Sequence, residues 1–204
     1  MPISNVLKTI SARLGRTPLT AETLEKRFAQ LKDSAPPPVV QPVGDLLAIF
    51  MAQARKNLFD VSEASQRDEM VHSLQTAVLP IVLSSQESVR AINWNPVAAQ
   101  LTTDFHAPAL GVVEAVAAIA ETGTLAVRSV DVPSGLLFLC EELVIILRQS
   151  TIVPFQEDLW RQLAPGHYRA LHLISGPSRT ADVEQTLQVG AHGPRRVCLW
   201  LVED

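Results

Sequence analysis

Apolar positions recur along this chain first with a helical period and then with a mixture of helical and strand-like runs. Ile3, Val6, Leu7, Ile10 and Leu14 fall at helical spacing and Gly15 follows as a stop, so the pattern predicts a helix over about 3–14. Thr20 is placed to cap a second helix with Leu24, Phe28 and Leu31 on one face, ending before Ser34 and Pro36-Pro37-Pro38. Those prolines, with Pro42, predict a stiff, extended connector. A third helix over about 45–57 has apolar residues around much of its circumference and is expected to be largely buried.

After Leu58 the elements alternate. LFDVS reads as an extended stretch, and a helix over about 65–79 presents Met70, Val71, Leu74, Ala77 and Val78 on one face. PIVLS at 80–84 reads as a short buried strand and NPVAAQL at 95–101 as a short helix with proline near its start. From Gly111 the chain is strand-rich: VAAIA at 116–120, TLAVRS at 124–129, LVIIL at 143–147, YRALHLI at 168–174 and VCLWLV at 197–202, with a helix at 155–164 whose face is Phe155, Leu159, Trp160 and Leu163. Continuous apolar strands interspersed with helices predict an α/β fold, a sheet covered on both faces, and the close pair near 116–129 adds an antiparallel component. Residues 1–43 hold too few apolar positions for a core of their own, so they are expected to be a helical extension packed on an α/β domain spanning 44–204.

Composition narrows the function classes. A net charge of −4 without any block of lysine or arginine argues against a dedicated nucleic-acid binder. The longest apolar runs, such as LLAIFMA at 46–52, are far shorter than a membrane span, and Lys8 and Arg13 interrupt the place of a secretory signal, so a cytoplasmic protein is expected. Cys140 and Cys198 are the only cysteines and both sit in apolar runs, which predicts inert thiols. Two cysteines cannot supply the four ligands of an iron–sulfur cluster or a four-cysteine zinc site, and His167 and His172 would point to opposite faces of a strand, so no metal or cofactor is expected in this chain. The glycine spacings contain neither GxGxxG nor GxxxxGK[ST].

Three polar segments stand out. Glu121-Thr122-Gly123-Thr124 lies between two predicted strands, where a tight turn with Gly123 at positive φ is the plainer reading. A carboxylate beside hydroxyls at a strand end also makes Glu121 the candidate base or nucleophile. Gly176-Pro177-Ser178-Arg179-Thr180 is expected to enter a helix with Val183 and Leu187 on its buried face. Its amides, the Ser178 and Thr180 hydroxyls and the Arg179 guanidinium could hold an anion, while Asp182 and Glu184 would repel one and could instead hold a cation or orient Arg179 and Arg195; the plainer reading is Ser178 or Thr180 as N-cap with Asp182 and Glu184 as first-turn acids. His192-Gly193-Pro194-Arg195 follows Gly190, and a histidine in such a loop can serve as acid, base or anion ligand, or be a plain exposed connection.

AIAETGTLAV at 118–127, LISGPSRTADVEQTL at 173–187, GAHGPRRVCLWLVED at 190–204 and the opening ISARLGR at 10–16 resemble the LUD-domain family, formerly DUF162, in its LutC-like branch. The resemblance implies a three-layer α/β/α fold with a mixed, mostly parallel sheet, similar to the NagB/RpiA/CoA-transferase superfamily. It also implies a place in bacterial L-lactate oxidation to pyruvate beside iron–sulfur partner proteins, with clusters on the partners and none here. The chain departs from the family where it reads VVEAVA in place of TGAD-like residues, and FLCEEL in place of a proline-containing segment. Two functional readings follow: a non-redox accessory subunit that binds a small anion or a partner at these segments, or a stand-alone enzyme on a phosphorylated or CoA-linked small molecule. The second would use Glu121 as base or nucleophile and Arg179 or Arg195 as anion clamp, and rests on fold analogy. A third reading is a purely structural interaction protein.

Overall fold

The computed structural model describes residues 12–13, 15, 20, 22–23, 25–26, 29, 44–64, 67–103, 108–129, 132–163, 169–181, 187–189 and 193–203. By internal contacts the chain divides into two compact units, Met1–Gln41 and Pro42–Asp204. In the first, Ala12 and Arg13 are helical and Gly15 has φ of 61°, the left-handed geometry of a helix stop. Thr20 caps as its sequence predicts, its hydroxyl accepting from the Thr23 amide at 3.2 Å. Most of the predicted helix over 3–14 and the proline connector lie outside the described residues.

The second unit opens with α1 (Leu46–Lys56), capped by the Asp45 carboxylate, which accepts from the Leu47 amide at 3.0 Å. It buries Phe50, Met51 and Ala54, so one face is covered rather than most of the circumference. Its C-terminus is a Schellman turn: Phe59 N–H bonds Ala54 O and Leu58 N–H bonds Arg55 O, both at 3.1 Å. Leu58 occupies the left-handed position at φ 63°, where glycine normally sits, and its side chain is exposed. Leu58→Gly is therefore expected to stabilise the protein by about 1 kcal/mol, read as a raised urea midpoint with an unchanged slope.

Five strands form a wholly parallel sheet: β1 (Asp60–Ala64), β2 (Ile81–Leu83), β3 (Leu110–Glu114), β6 (Glu142–Arg148) and β11 (Arg196–Val202), in the order β1-β11-β6-β3-β2. The uninterrupted apolar run of β6 follows from having both faces covered. Leu143, Ile145 and Leu147 point into one core with Phe50, Met51 and Ala54 of α1, while Val144 and Ile146 point into another with Met70 and Val71 of α2 (Arg67–Ser73). β11 alternates in the same way, Val197, Leu199 and Leu201 against Trp200 and Val202. The predicted helix over 65–79 is shorter than expected: α2 gives way to a 3-10 turn over Leu74–Thr76, and Val78 is almost fully exposed. NPVAAQ at Asn95–Gln100 is likewise a 3-10 segment.

The antiparallel component forms a sheet of its own. It has four strands in the order β7-β4-β5-β8, with β4 (Ala117–Ile119), β5 (Thr124–Arg128), β7 (Ile152–Val153) and β8 (Leu171–Ile174). Leu125 and Val127 of β5 share the core of the parallel sheet. Ala117, Ile119 and Ala126 form the opposite core with Leu159 of α5 (Gln156–Gln162). The predicted helix face is narrower than its spacing suggests, for Leu159 is buried and Trp160 is half exposed. Two short helices, α3 (Glu87–Arg90) and α4 (Ser134–Phe138), were not legible as periodic patterns because each is barely one turn long.

Candidate functional site

The ETGT segment is the turn between β4 and β5. Gly123 has φ of 62° and lies so close to α1 that a Cβ there would come within 2.7 Å of the Gln53–Ala54 backbone. Asn57, the C-cap of α1, donates its side-chain amide to the Thr122 carbonyl at 2.8 Å and to the Gly123 carbonyl at 3.2 Å. The hydroxyls form a row: Thr122 donates to Thr124 at 2.7 Å, and Thr124 shares a 2.8 Å bond with Ser175. Glu121 is exposed, with its backbone N–H bonded to Pro154 O at 3.1 Å.

Ser175 begins the second segment, so residues 51 positions apart in sequence meet through Thr124 and Ser175. Gly176, at φ 108°, packs against the same helix end, where a Cβ would lie 2.1 Å from Asn57 O. Beyond it, Ser178 N–H bonds Pro194 O at 3.0 Å, and a Cβ on Gly193 would lie 3.1 Å from Ser178 Cβ. Segments from all three predicted regions therefore connect: ETGT to Ser175, and Ser178 to Gly193-Pro194. Ser175, Gly176, Ser178, Gly193 and Pro194 line a cavity of about 210 Å³, with Phe138 and Leu173 among its apolar walls.

The helix expected after Gly176 is corrected. Arg179–Ala181 is a strand, β9, paired antiparallel with β10 (Leu187–Val189) in the register Leu187↔Ala181 and Val189↔Arg179. The Val183/Leu187 spacing suggested a helix, but two threonine- and valine-bearing stretches that can pair satisfy their backbone groups across a ladder instead. Asp182, Glu184 and His192 lie outside the described residues, as do the side chains of Arg179 and Thr180. Arg195 is exposed and pairs with Glu141 at 3.2 Å.

A second polar cluster was missed by sequence reasoning. Glu114, the last residue of β3, is 5% exposed, and its Oε1 accepts from Arg148 Nε at 2.8 Å at the end of β6. Gln86 fixes the Glu114 backbone from both sides, accepting from its N–H at 2.7 Å and donating to its carbonyl at 2.9 Å; Ser84 donates to the same Gln86 oxygen. The pair lines a cavity of about 740 Å³ with Arg128 and Thr151. The available signal was a single carboxylate inside LGVVEAVAAIA, since a charge within an apolar strand demands a partner.

His172 shares a 2.9 Å hydrogen bond with Ser134 and stacks edge-on against Phe138, while His167 lies outside the described residues. Among the described residues no group of three or more His, Cys, Asp or Glu side chains could hold a metal, and no helix is long and apolar enough to cross a membrane. Burial pushes the Cys140 thiol up to about 12 and the Cys198 thiol up to about 11. Both raised values keep the thiols neutral at pH 8, with thiolate gained only as the pH climbs towards those values. Labelling by iodoacetamide at pH 8 is accordingly expected only after denaturation, checked by intact mass.

The parallel sheet flanked by a mixed sheet and helices defines an α/β fold seen in a solved structure. A DUF162 family protein from Deinococcus radiodurans superimposes with a TM-score of 0.53 at 14% identity, covering 79% of this chain and 99% of that one. The chain belongs to the LUD domain family, whose profile matches residues 81–202. It is similar to the lactate utilization protein C of Halalkalibacterium halodurans, 35% identical over 105 residues, 47% of this chain and 44% of that protein. The lactate utilization protein C of Bacillus pumilus is 37% identical over 93 residues, covering 42% and 39%. The uncharacterized protein YkgG of Escherichia coli is 32% identical over 130 residues, covering 58% and 55%. The chain thus spans about half the length of these curated relatives.

Proposed function

We propose that this chain is a non-redox component of a bacterial L-lactate utilization system, acting beside iron–sulfur proteins that carry the electrons. In this reading the ETGT turn, the GPSRTADVE segment and the HGPR loop form a recognition site for a small anion or a partner protein. The supporting observation is the Thr124–Ser175 hydroxyl bond at 2.8 Å, because it joins two segments of the family resemblance that are remote in sequence. Thr124 is buried between the exposed Thr122 and Ser175, so the two outer hydroxyls of the row are the ones that could meet an oxygen-rich ligand or a partner's backbone.

The similarity to proteins named lactate utilization protein C supports the pathway in this reading, and a chain with two cysteines is short of the four ligands of a cluster, which is why this reading puts the clusters on partners. Glu121, exposed on the turn, is given no chemical step. The test is affinity purification of the tagged chain from its own host grown on L-lactate. Iron–sulfur proteins of a lactate operon should co-purify, and their absence under conditions that keep clusters intact would contradict the reading. Thr122→Val is expected to lower their recovery while leaving the melting temperature near that of the parent, since Thr122 is exposed.

A further inference from the structure

The cavity of about 210 Å³ beside Ser175 and Ser178 opens at an unusual place for a parallel α/β sheet. Leu143 and Val197, each the second residue of its strand, put it at the amino ends of β6 and β11. Such sheets bind and convert substrates beyond the carboxyl ends of their strands, so a site at the amino edge points to recognition rather than turnover. Its volume also falls below the roughly 300–1,000 Å³ of small-molecule pockets and leaves room for one large aliphatic side chain.

The walls define the chemistry of the guest. Leu137, Leu143, Ile174 and Val197 are buried and apolar, while Phe138 and Leu173 line the cavity and stay partly exposed to solvent. Leu139, the residue after Phe138, is exposed as well, and apolar surface gathered beside a cavity marks a contact region. Among the described residues no ionisable side chain lines the cavity. The charges at the same sheet edge are already paired: Arg195 with Glu141 at 3.2 Å, Arg196 with Asp60, and Arg196 with Glu142 at 3.6 Å. A charged guest would be desolvated there without a counter-charge, so the walls favour an uncharged one. Ser178 Oγ has no hydrogen-bond partner among the described residues and supplies one donor and two lone pairs for the backbone amide groups that flank a buried side chain.

From this combination we propose that the cavity receives an uncharged aliphatic side chain, of leucine or methionine size, presented by the partner protein. The inference rests on the partner-binding reading above and narrows it to one anchor in a desolvated pocket, where interface energy concentrates. Two experiments separate the inference from that reading. In the full chain with labelled methyl groups, N-acetyl-leucinamide should give saturating NMR shifts at Leu137, Leu143, Leu173 and Val197, with N-acetyl-lysinamide and N-acetylglycinamide at least about tenfold weaker. No saturating shift up to about 50 mM, or equal affinity for all three probes, would overturn the proposal and leave the partner-binding reading standing. In the affinity purification described above, Leu173→Thr should recover about tenfold less of the iron–sulfur partners at an unchanged melting temperature. Val78→Ser, a change at an exposed residue that does not line the cavity, should recover as much as the parent. Equal recovery by Leu173→Thr would overturn the proposal alone, and recovery of no partner by the parent chain would bring down both.

Discussion

Gly176→Ala is expected to destabilise the protein by about 3 kcal/mol or more, enough to lower its melting temperature by many degrees or prevent folding. Two causes act together. The backbone at φ 108° strains any residue with a Cβ, and that Cβ would lie 2.1 Å from Asn57 O, a backbone atom at the end of α1 that cannot rotate away. Relief would require separating the Ser175–Gly176 segment from α1 and with it the Asn57 bonds that hold the ETGT turn. Gly111→Ala is the informative contrast. Its φ is ordinary and its Cβ would meet Leu136 Cδ1 at 3.0 Å and Leu136 O at 3.3 Å, contacts that a shift of a few tenths of an ångström relieves, and a smaller cost of about 1–2 kcal/mol is expected. Thermal melts followed by circular dichroism compare the two. A Gly176→Ala protein melting with the parent would show that the loop does not pack on α1 as described.

Arg148→Met should cost about 2 kcal/mol, because it removes the charge-assisted hydrogen bond that Arg148 Nε donates to the buried Glu114 carboxylate at 2.8 Å. The half-exposed position of Arg148 lets water recover part of the loss, which places the effect below that of a fully interior pair. Replacing both members, Glu114→Gln with Arg148→Met, should restore much of the stability, since no uncompensated charge remains. Urea titrations of the parent, both single variants and the double variant give the coupling directly. Additive single effects would mean that the pair does not interact as a unit.

The sequence disclosed most where a run of side chains repeats a single physical demand. LVIIL and VCLWLV read as strands because both faces of the parallel sheet are covered, and β6 and β11 distribute their residues alternately between two cores. The ETGT turn was legible because glycine adopts the positive φ of position 123 at least cost and stands there between two apolar runs. Failure came where a tertiary partner overrode local spacing. Val183 and Leu187 suggested a helix, yet Leu187 pairs with Ala181 across a ladder that no single segment encodes. Nor could periodicity reveal that β4, β5, β7 and β8 leave the parallel sheet to form their own. The role of Glu114 is hidden for a related reason, since Arg148 lies 34 residues away on a different strand. Of the candidate site, the meeting of ETGT with Ser175 and of Ser178 with Pro194 depends on long-range closure; the end of α1 supplies the surface for the first, and Gly193 beside the second lies near Phe138 of α4.

Growth of the source organism on L-lactate as sole carbon source tests the central proposal most directly. With no other lactate dehydrogenase present, deletion of this chain should abolish that growth while leaving growth on pyruvate intact, and the parent chain supplied in trans should restore it. Undiminished growth of the deletion strain on L-lactate would contradict a role in lactate utilization.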